Sequence, residues 1–256
     1  MEIGSNIEIE VPKWPHEVGI IFGQHANGEN IAAAVGQRLK SIFAGFPGVH
    51  YFEHPAGGSY TDAFLDAAKE ADLHSAAFGE KYHSEMDGRT QQNRQEIIEF
   101  AKQHPDIPII DIHESCLRDF PSESVSVHVN KDTIDPARLK ELATAAFPAV
   151  RAPENKYLGF LLSVEDLAAA GFKDENNLPP NYIVVEIYTP PELYDFPADS
   201  SFLLRGEGQP IRTLKPLDSV SDKAAYQAEV TKYTRILERI IPAIEMAYRE
   251  KKLVKP

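Results

Sequence analysis

The sequence alternates short apolar runs with longer stretches in which apolar residues recur at helical spacing. Val18–Phe22 and Tyr182–Ile187 are apolar runs typical of buried strands, whereas Ile31–Phe43 repeats its apolar side chains every three or four residues. Strands interleaved with helices favour a mostly parallel or mixed sheet enclosed between helical layers. We therefore predict an α/β fold with three α/β/α layers around a mixed, mostly parallel sheet.

The same two patterns, short apolar runs for strands and helical spacing for helices, predict the remaining elements. The other predicted strands are Val49–Phe52, Ile107–Ile112 and Val125–Val129, and the other predicted helices are Thr61–Ala71, Gln91–Lys102 and Asp135–Ala146. Residues 192–220 contain several prolines and glycines and are predicted to be irregular and to shape a pocket entrance. Residues 221–250 are predicted to form a C-terminal helix that Pro242 kinks. We treat residues 1–256 as a single domain.

Net charge and cysteine content argue against several classes of protein. The chain has 26 Lys and Arg against 39 Asp and Glu, a formal net charge of −13, which argues against non-specific binding to nucleic acid or to anionic membranes. The single cysteine, Cys116, excludes a disulfide scaffold or a cysteine-rich zinc module within the chain. No apolar run approaches a membrane span, and the first residues lack a signal-peptide pattern, so the cytoplasm is the expected compartment.

Chemically active side chains are expected where parallel strands end, because ligands bind at the carboxyl ends of such strands. The first strand is followed by a segment that contains His25 and Glu29, and the strand that ends at Ile112 delivers Asp111, His113 and Glu114. Two histidines and one carboxylate are the usual ligand set of a hydrolytic zinc site, with water in the fourth position. The strand ends therefore indicate a metal site.

Two carboxylates near these strand ends each allow two interpretations. Asp111 lies two residues before His113 and so points to the same face of the strand, where it could hold the imidazole or cap a turn. Glu186 interrupts an apolar strand, where a carboxylate is costly without a partner or a function. It is either a general base or the solvent-facing residue of an edge strand.

Four short segments, taken in order, resemble the zinc-dependent carboxypeptidase superfamily, and within it the succinylglutamate desuccinylase/aspartoacylase-like deacylases. The family's Gly-x-His-Gly-x-Glu segment is similar to Gly23–Glu29, and its Asn-Arg pair to Asn93-Arg94. Its Asp-Leu-His segment is similar to Asp111–His113, and its glutamate in a late apolar strand is similar to Glu186. The matching segments span residues 18–188.

The resemblance implies a zinc carboxypeptidase-like fold, one Zn²⁺ per chain and a role for each matching residue. The implied metal ligands are His25, Glu29 and His113. Glu186 would be the general base, and Arg94, also implied in catalysis, would bind the substrate carboxylate with help from Asn93. The implied partner is a small molecule or a peptide that carries a carboxylate.

The predicted function is a zinc-dependent hydrolase that cleaves an amide bond in an N-acyl amino acid or at the C-terminal residue of a peptide. The spacing His25-x-x-x-Glu29 is one residue longer than in the family, which favours a non-catalytic protein of the same fold that binds a small ligand or a partner. An enzyme like N-formylglutamate amidohydrolase and a metal-free hydrolase or transferase are further alternatives. The sequence leaves open the acyl group, the native metal and whether the chain forms a homo-oligomer.

Overall fold

A computed structural model describes residues 11–23, 30–53, 95–115, 124–147, 161–166, 178–195, 213–214 and 217–254. The strands of its larger sheet are β1 Val18–Phe22, β2 Val49–Glu53, β3 Ile109–Ser115, β4 Ser124–Val129, β5 Leu161–Asp166 and β6 Tyr182–Tyr188. The α-helices are α1 Asn30–Ile42, α2 at residues 95–103, α3 Pro136–Ala146 and α4 Val220–Val254. A 3-10 turn, Pro191–Leu193, leads into a small pair of strands, β7 Tyr194–Asp195 and β8 Thr213–Leu214.

The larger sheet has six strands in the order β2-β1-β3-β6-β4-β5. Strands β2, β1, β3 and β6 run parallel, β4 runs antiparallel to β6, and β5 runs parallel to β4. The predicted mixed, mostly parallel sheet is confirmed. Because β6 lies between β3 and β4, the interpretation of Glu186 as a residue of an edge strand is wrong. Strand β3 also continues to Ser115, so His113 lies within the strand rather than after it.

Helices cover both faces of this sheet, as the predicted three-layer arrangement requires. Helices α1, α3 and α4 pack on one face, here called the core face, against apolar side chains that include Ile110, Ile112 and Val185. Helix α2 packs on the opposite face, here called the site face, where its apolar residues join a cluster with Ile109 and Val184. The site face also carries Asp111, His113 and Glu186, which alternate with the core-face residues of β3 and β6.

A close approach between α1 and β1 fixes α1 over the core face. Gly36, in the middle of α1, lies so close to the ring of Phe22 that an added Cβ would sit 2.2 Å from its Cγ. Phe22 is the last residue of β1 and is fully buried. Only a residue without a side chain fits at this crossing, which holds α1 close above the carboxyl end of β1.

Two differences from the predicted elements concern helix α4 and strand β5. Helix α4 runs through Pro242 and extends beyond the predicted 221–250 at both ends, to Val220 and Val254. Strand β5 was not predicted, because Leu161–Asp166 mixes apolar and acidic residues and owes its conformation to pairing with β4 at the sheet edge. The predicted helix at residues 61–71, and residues 196–212 of the predicted irregular segment, lie outside the described residues.

No helix within the described ranges is both long enough and apolar enough to cross a bilayer.

The contact between Gly36 and Phe22 predicts that Gly36→Ala lowers the free energy of unfolding, although alanine is the better helix former. The inserted methyl group would displace a fully buried ring, which costs about 1–3 kcal/mol in a packed core. Gly45→Ala is the matched control, since nothing lies within 4 Å of its added Cβ, and it should be neutral or slightly stabilising. Urea unfolding of the two variants measures the difference, and a stabilised Gly36→Ala protein would contradict this packing.

Candidate active site

Strands β3 and β6 place an imidazole beside a carboxylate. In their parallel register His113 pairs with Glu186, so both side chains project from the site face on neighbouring strands about 4.8 Å apart. The His113 side chain is 16% exposed and Glu186 is half-buried. A candidate base and a candidate metal ligand therefore stand side by side near the carboxyl ends of the parallel strands.

Asp111, two residues before His113 in β3, contacts the His113 ring on the same face of the sheet. Its Oδ2 lies 3.2 Å from His113 Nε2 and accepts a 2.7 Å hydrogen bond from the hydroxyl of Tyr182. Asp111 is fully buried, and Tyr182 is 4% exposed. This contact confirms that Asp111 partners the imidazole rather than capping a turn.

Glu114, between His113 and Ser115, points to the core face and ties α1 to β3. Its Oε2 accepts the backbone N–H groups of Ile31 and Ala32, at 2.9 and 3.0 Å, in the first turn of α1. Its Oε1 accepts the hydroxyl of Thr189 at 2.7 Å and that of Tyr194. The first turn of a helix favours a negative charge, because its backbone N–H groups lack partners within the helix. Glu114 is 1% exposed, and these four donors compensate its burial.

The segment of residues 24–29 is therefore bounded by two anchored ends. It leaves β1 at Gly23, whose φ of 82° suits a residue without a side chain. At its other end is Asn30, the first residue of α1, whose carbonyl accepts a 3.3 Å hydrogen bond from the Tyr226 hydroxyl. Burial raises the pKa of Tyr226, and the nearby Glu114 carboxylate raises it further. Both ends of the segment thus lie beside the carboxyl end of β3.

The structure places two of the predicted site residues together, His113 and Glu186. Four others lie outside the described residues, and their roles stay predictions: His25, Glu29, Asn93 and Arg94. Within the described part of the chain, no three His, Cys, Asp or Glu side chains form a group that could hold a metal ion. The predicted three-ligand set accordingly depends on the segment between Gly23 and Asn30.

Two sets of contacts in this region were not predicted from the sequence, that of Tyr182 with Asp111 and those of Glu114 with α1, Thr189 and Tyr194. Tyr182 and Glu186 share the period-two pattern of β6, so a tyrosine on the same face as the candidate base could have been noticed. The role of Glu114 had no such signal, because its donors come from the start of α1 and from residues after β6. Only the folded chain brings these elements together.

No family model and no curated protein matches the sequence. Among solved structures, the N-acetylmuramoyl-L-alanine amidase AmiC2 of Nostoc punctiforme is 15% identical, with 91% of this chain and 97% of that chain covered and a TM-score of 0.38. The catalytic domain of CwlV, an N-acetylmuramoyl-L-alanine amidase from Bacillus (Paenibacillus) polymyxa var. colistinus, is 10% identical, with 88% and 96% covered and a TM-score of 0.42. Murine aminoacylase 3 is 12% identical, with 88% and 64% covered and a TM-score of 0.37. These structural neighbours are amidases and an aminoacylase, and the likeness is too remote to assign this chain an activity.

The contacts of Glu114 predict that Glu114→Gln destabilises the protein. A glutamine amide has one acceptor oxygen, so its NH₂ group would face donors of α1 or of Thr189 and Tyr194. A buried donor left without an acceptor costs about 1–3 kcal/mol. Chemical denaturation measures the change, and Glu192→Gln, an exposed change of the same kind, is the control. Equal stability of the two variants would show that the tie between β3 and α1 contributes little.

Proposed function

We propose that this protein is a zinc-dependent hydrolase that cleaves an amide bond in a small carboxylate-bearing substrate, either an N-acyl amino acid or the C-terminal residue of a peptide. The observation that carries the proposal is the in-register pair of His113 and Glu186 on the site face, with Asp111 against the imidazole. A metal ligand and a general base need this proximity, because both act on the same water molecule and the same carbonyl group.

The donor set around His113 fits a zinc ion. Zinc binds imidazole nitrogen and carboxylate oxygen, and a ligand histidine usually has its other ring nitrogen against a carboxylate. His113 Nε2 faces Asp111, so Nδ1 is the nitrogen that would bind the ion. His25 and Glu29 would complete the ligand set from the segment that leaves β1 and enters α1. The anchored ends of that segment, at the carboxyl edge of the sheet, support this assignment.

Glu186 would act as the general base and then as the general acid. A bound zinc ion would acidify water and polarise the scissile carbonyl. Glu186 would take a proton from a water molecule while the oxygen of that water bonds to the acyl carbon. It would then return the proton to the amine nitrogen as the C–N bond breaks. The half-buried position of Glu186 in the apolar strand β6 limits competing contact with solvent.

Arg94, with Asn93, would bind the substrate carboxylate and orient the scissile bond. The planar guanidinium fork suits a carboxylate, with which it forms two parallel hydrogen bonds. In the sequence the pair directly precedes residues 95–103, the described part of α2, which packs on the site face.

The proposal predicts about one tightly bound zinc ion per chain in protein purified without chelator. His113→Ala should weaken zinc binding by more than about 100-fold, beyond the 10–100-fold range of residues that only support a ligand. His16→Ala, an exposed histidine outside the site, is the matched control. Metal analysis and calorimetric titration provide the measurements. Protein that holds no metal and binds none on incubation with zinc would refute the proposal, and bound zinc without hydrolysis of any acyl-amino acid would favour a binding protein.

The role of Glu186 predicts that Glu186→Gln lowers kcat by about 10²–10⁴-fold, the usual contribution of a general base. Glutamine keeps the volume and the hydrogen-bonding capacity of the side chain, so zinc content and Tm should hardly change. Glu53→Gln, at the exposed end of β2, should leave kcat unchanged. If Glu186→Gln instead loses zinc or unfolds in proportion to its lost activity, Glu186 is a ligand or a structural residue.

A further inference from the structure

Tyr182 connects the apolar and polar parts of the site face. It starts β6 opposite Ile109, and its ring belongs to the apolar cluster that includes Phe100 of α2 and Val184. Its hydroxyl leaves this cluster and reaches Asp111, which pairs with Val184 one two-residue step farther along the strands. The side chain thus runs along the sheet toward the candidate site, with its ring fixed by apolar packing.

The hydroxyl of Tyr182 and the ring of His113 meet the same oxygen atom. Asp111 Oδ2 lies 2.7 Å from the Tyr182 hydroxyl and 3.2 Å from His113 Nε2. A fully buried carboxylate is costly unless donors surround it, and a tyrosine hydroxyl stabilises its charged form. A charged carboxylate only accepts hydrogen bonds, so it selects the imidazole tautomer that carries its proton on Nε2.

We propose that Tyr182 is a positioning residue that acts through Asp111 to hold His113 in the tautomer protonated on Nε2, so that Nδ1 rather than Nε2 is the nitrogen that would bind a metal ion. The use of Nδ1 as a ligand rests on the proposed zinc function, whereas the choice of tautomer does not. Loss of the hydroxyl would remove the 2.7 Å hydrogen bond that Asp111 Oδ2 accepts, and the carboxylate could then turn away from the ring.

The tautomer is tested on the metal-free protein by ¹⁵N NMR of the His113 ring. At about pH 8, above the usual histidine pKa of about 6.5, the shifts of the two ring nitrogens show which one carries the proton. The wild-type protein should have its proton on Nε2, and Tyr182→Phe should show a mixture of tautomers. A proton on Nδ1 in the wild-type protein, or the same tautomer in both proteins, would overturn the proposal.

Tyr233→Phe is the matched control for the loss of a buried hydroxyl. Tyr233, like Tyr182, is buried, but it belongs to α4 on the core face, and its hydroxyl donates to the backbone carbonyl of Tyr188. The Tyr233→Phe variant should lower Tm about as much as Tyr182→Phe does, and it should leave the His113 tautomer unchanged. A shift of the tautomer in Tyr233→Phe of the size seen in Tyr182→Phe would mean that general loosening, not the contact to Asp111, controls the ring.

Calorimetric titration with Zn²⁺ alone tests the path through Asp111. Tyr182→Phe should weaken zinc binding about tenfold, at the lower end of the range for residues that support a ligand, and Tyr233→Phe should not. In an Asp111→Asn background, Tyr182→Phe should have no further effect. An unreduced effect there would overturn the role assigned to Tyr182. Wild-type protein with the Nε2 tautomer but no affinity for zinc would refute the zinc function and support the positioning role.

Discussion

The parallel pairing of β3 with β6 is the interaction on which the candidate site depends. Its register sets His113 opposite Glu186, and Asp111 lies two residues before His113 on the same face. A slip of β6 by one residue would turn Glu186 toward the apolar core face, because successive side chains of a strand alternate between faces. The core face opposes such a slip, since Val185 and Ile187 would leave their contacts with the helices.

The carboxyl end of β3 carries polar residues with specific contacts on both faces of the sheet. Asp111 and His113 belong to the site face, while Glu114 binds the first turn of α1 on the core face. The buried contact between Gly36 and Phe22 holds α1 over β1 a few residues later. The stability of the layer on the core face and the position of the first turn of α1 therefore depend on the same stretch of strand.

Periodicity alone was sufficient for the layers of the fold, but not for the limits of the strands. Val18–Phe22, with five buried residues, was predicted with its observed limits, because an apolar run of this length has few alternatives. The end of β3 was placed too early, since His113, Glu114 and Ser115 are polar and resemble a loop. They are strand residues because β6 supplies parallel partners for all three.

The sequence by itself determined that Asp111 and His113 share a face, because a period of two is a local property of any strand. It also predicted that histidines and carboxylates gather at strand ends, and it identified His25, Glu29, Asn93 and Arg94 as candidates. Only the tertiary structure decided that Glu186 stands beside His113, that Tyr182 reaches Asp111 and that Glu114 holds α1. Strand order and register arise from burial and pairing between distant segments, and no local pattern of residues encodes them.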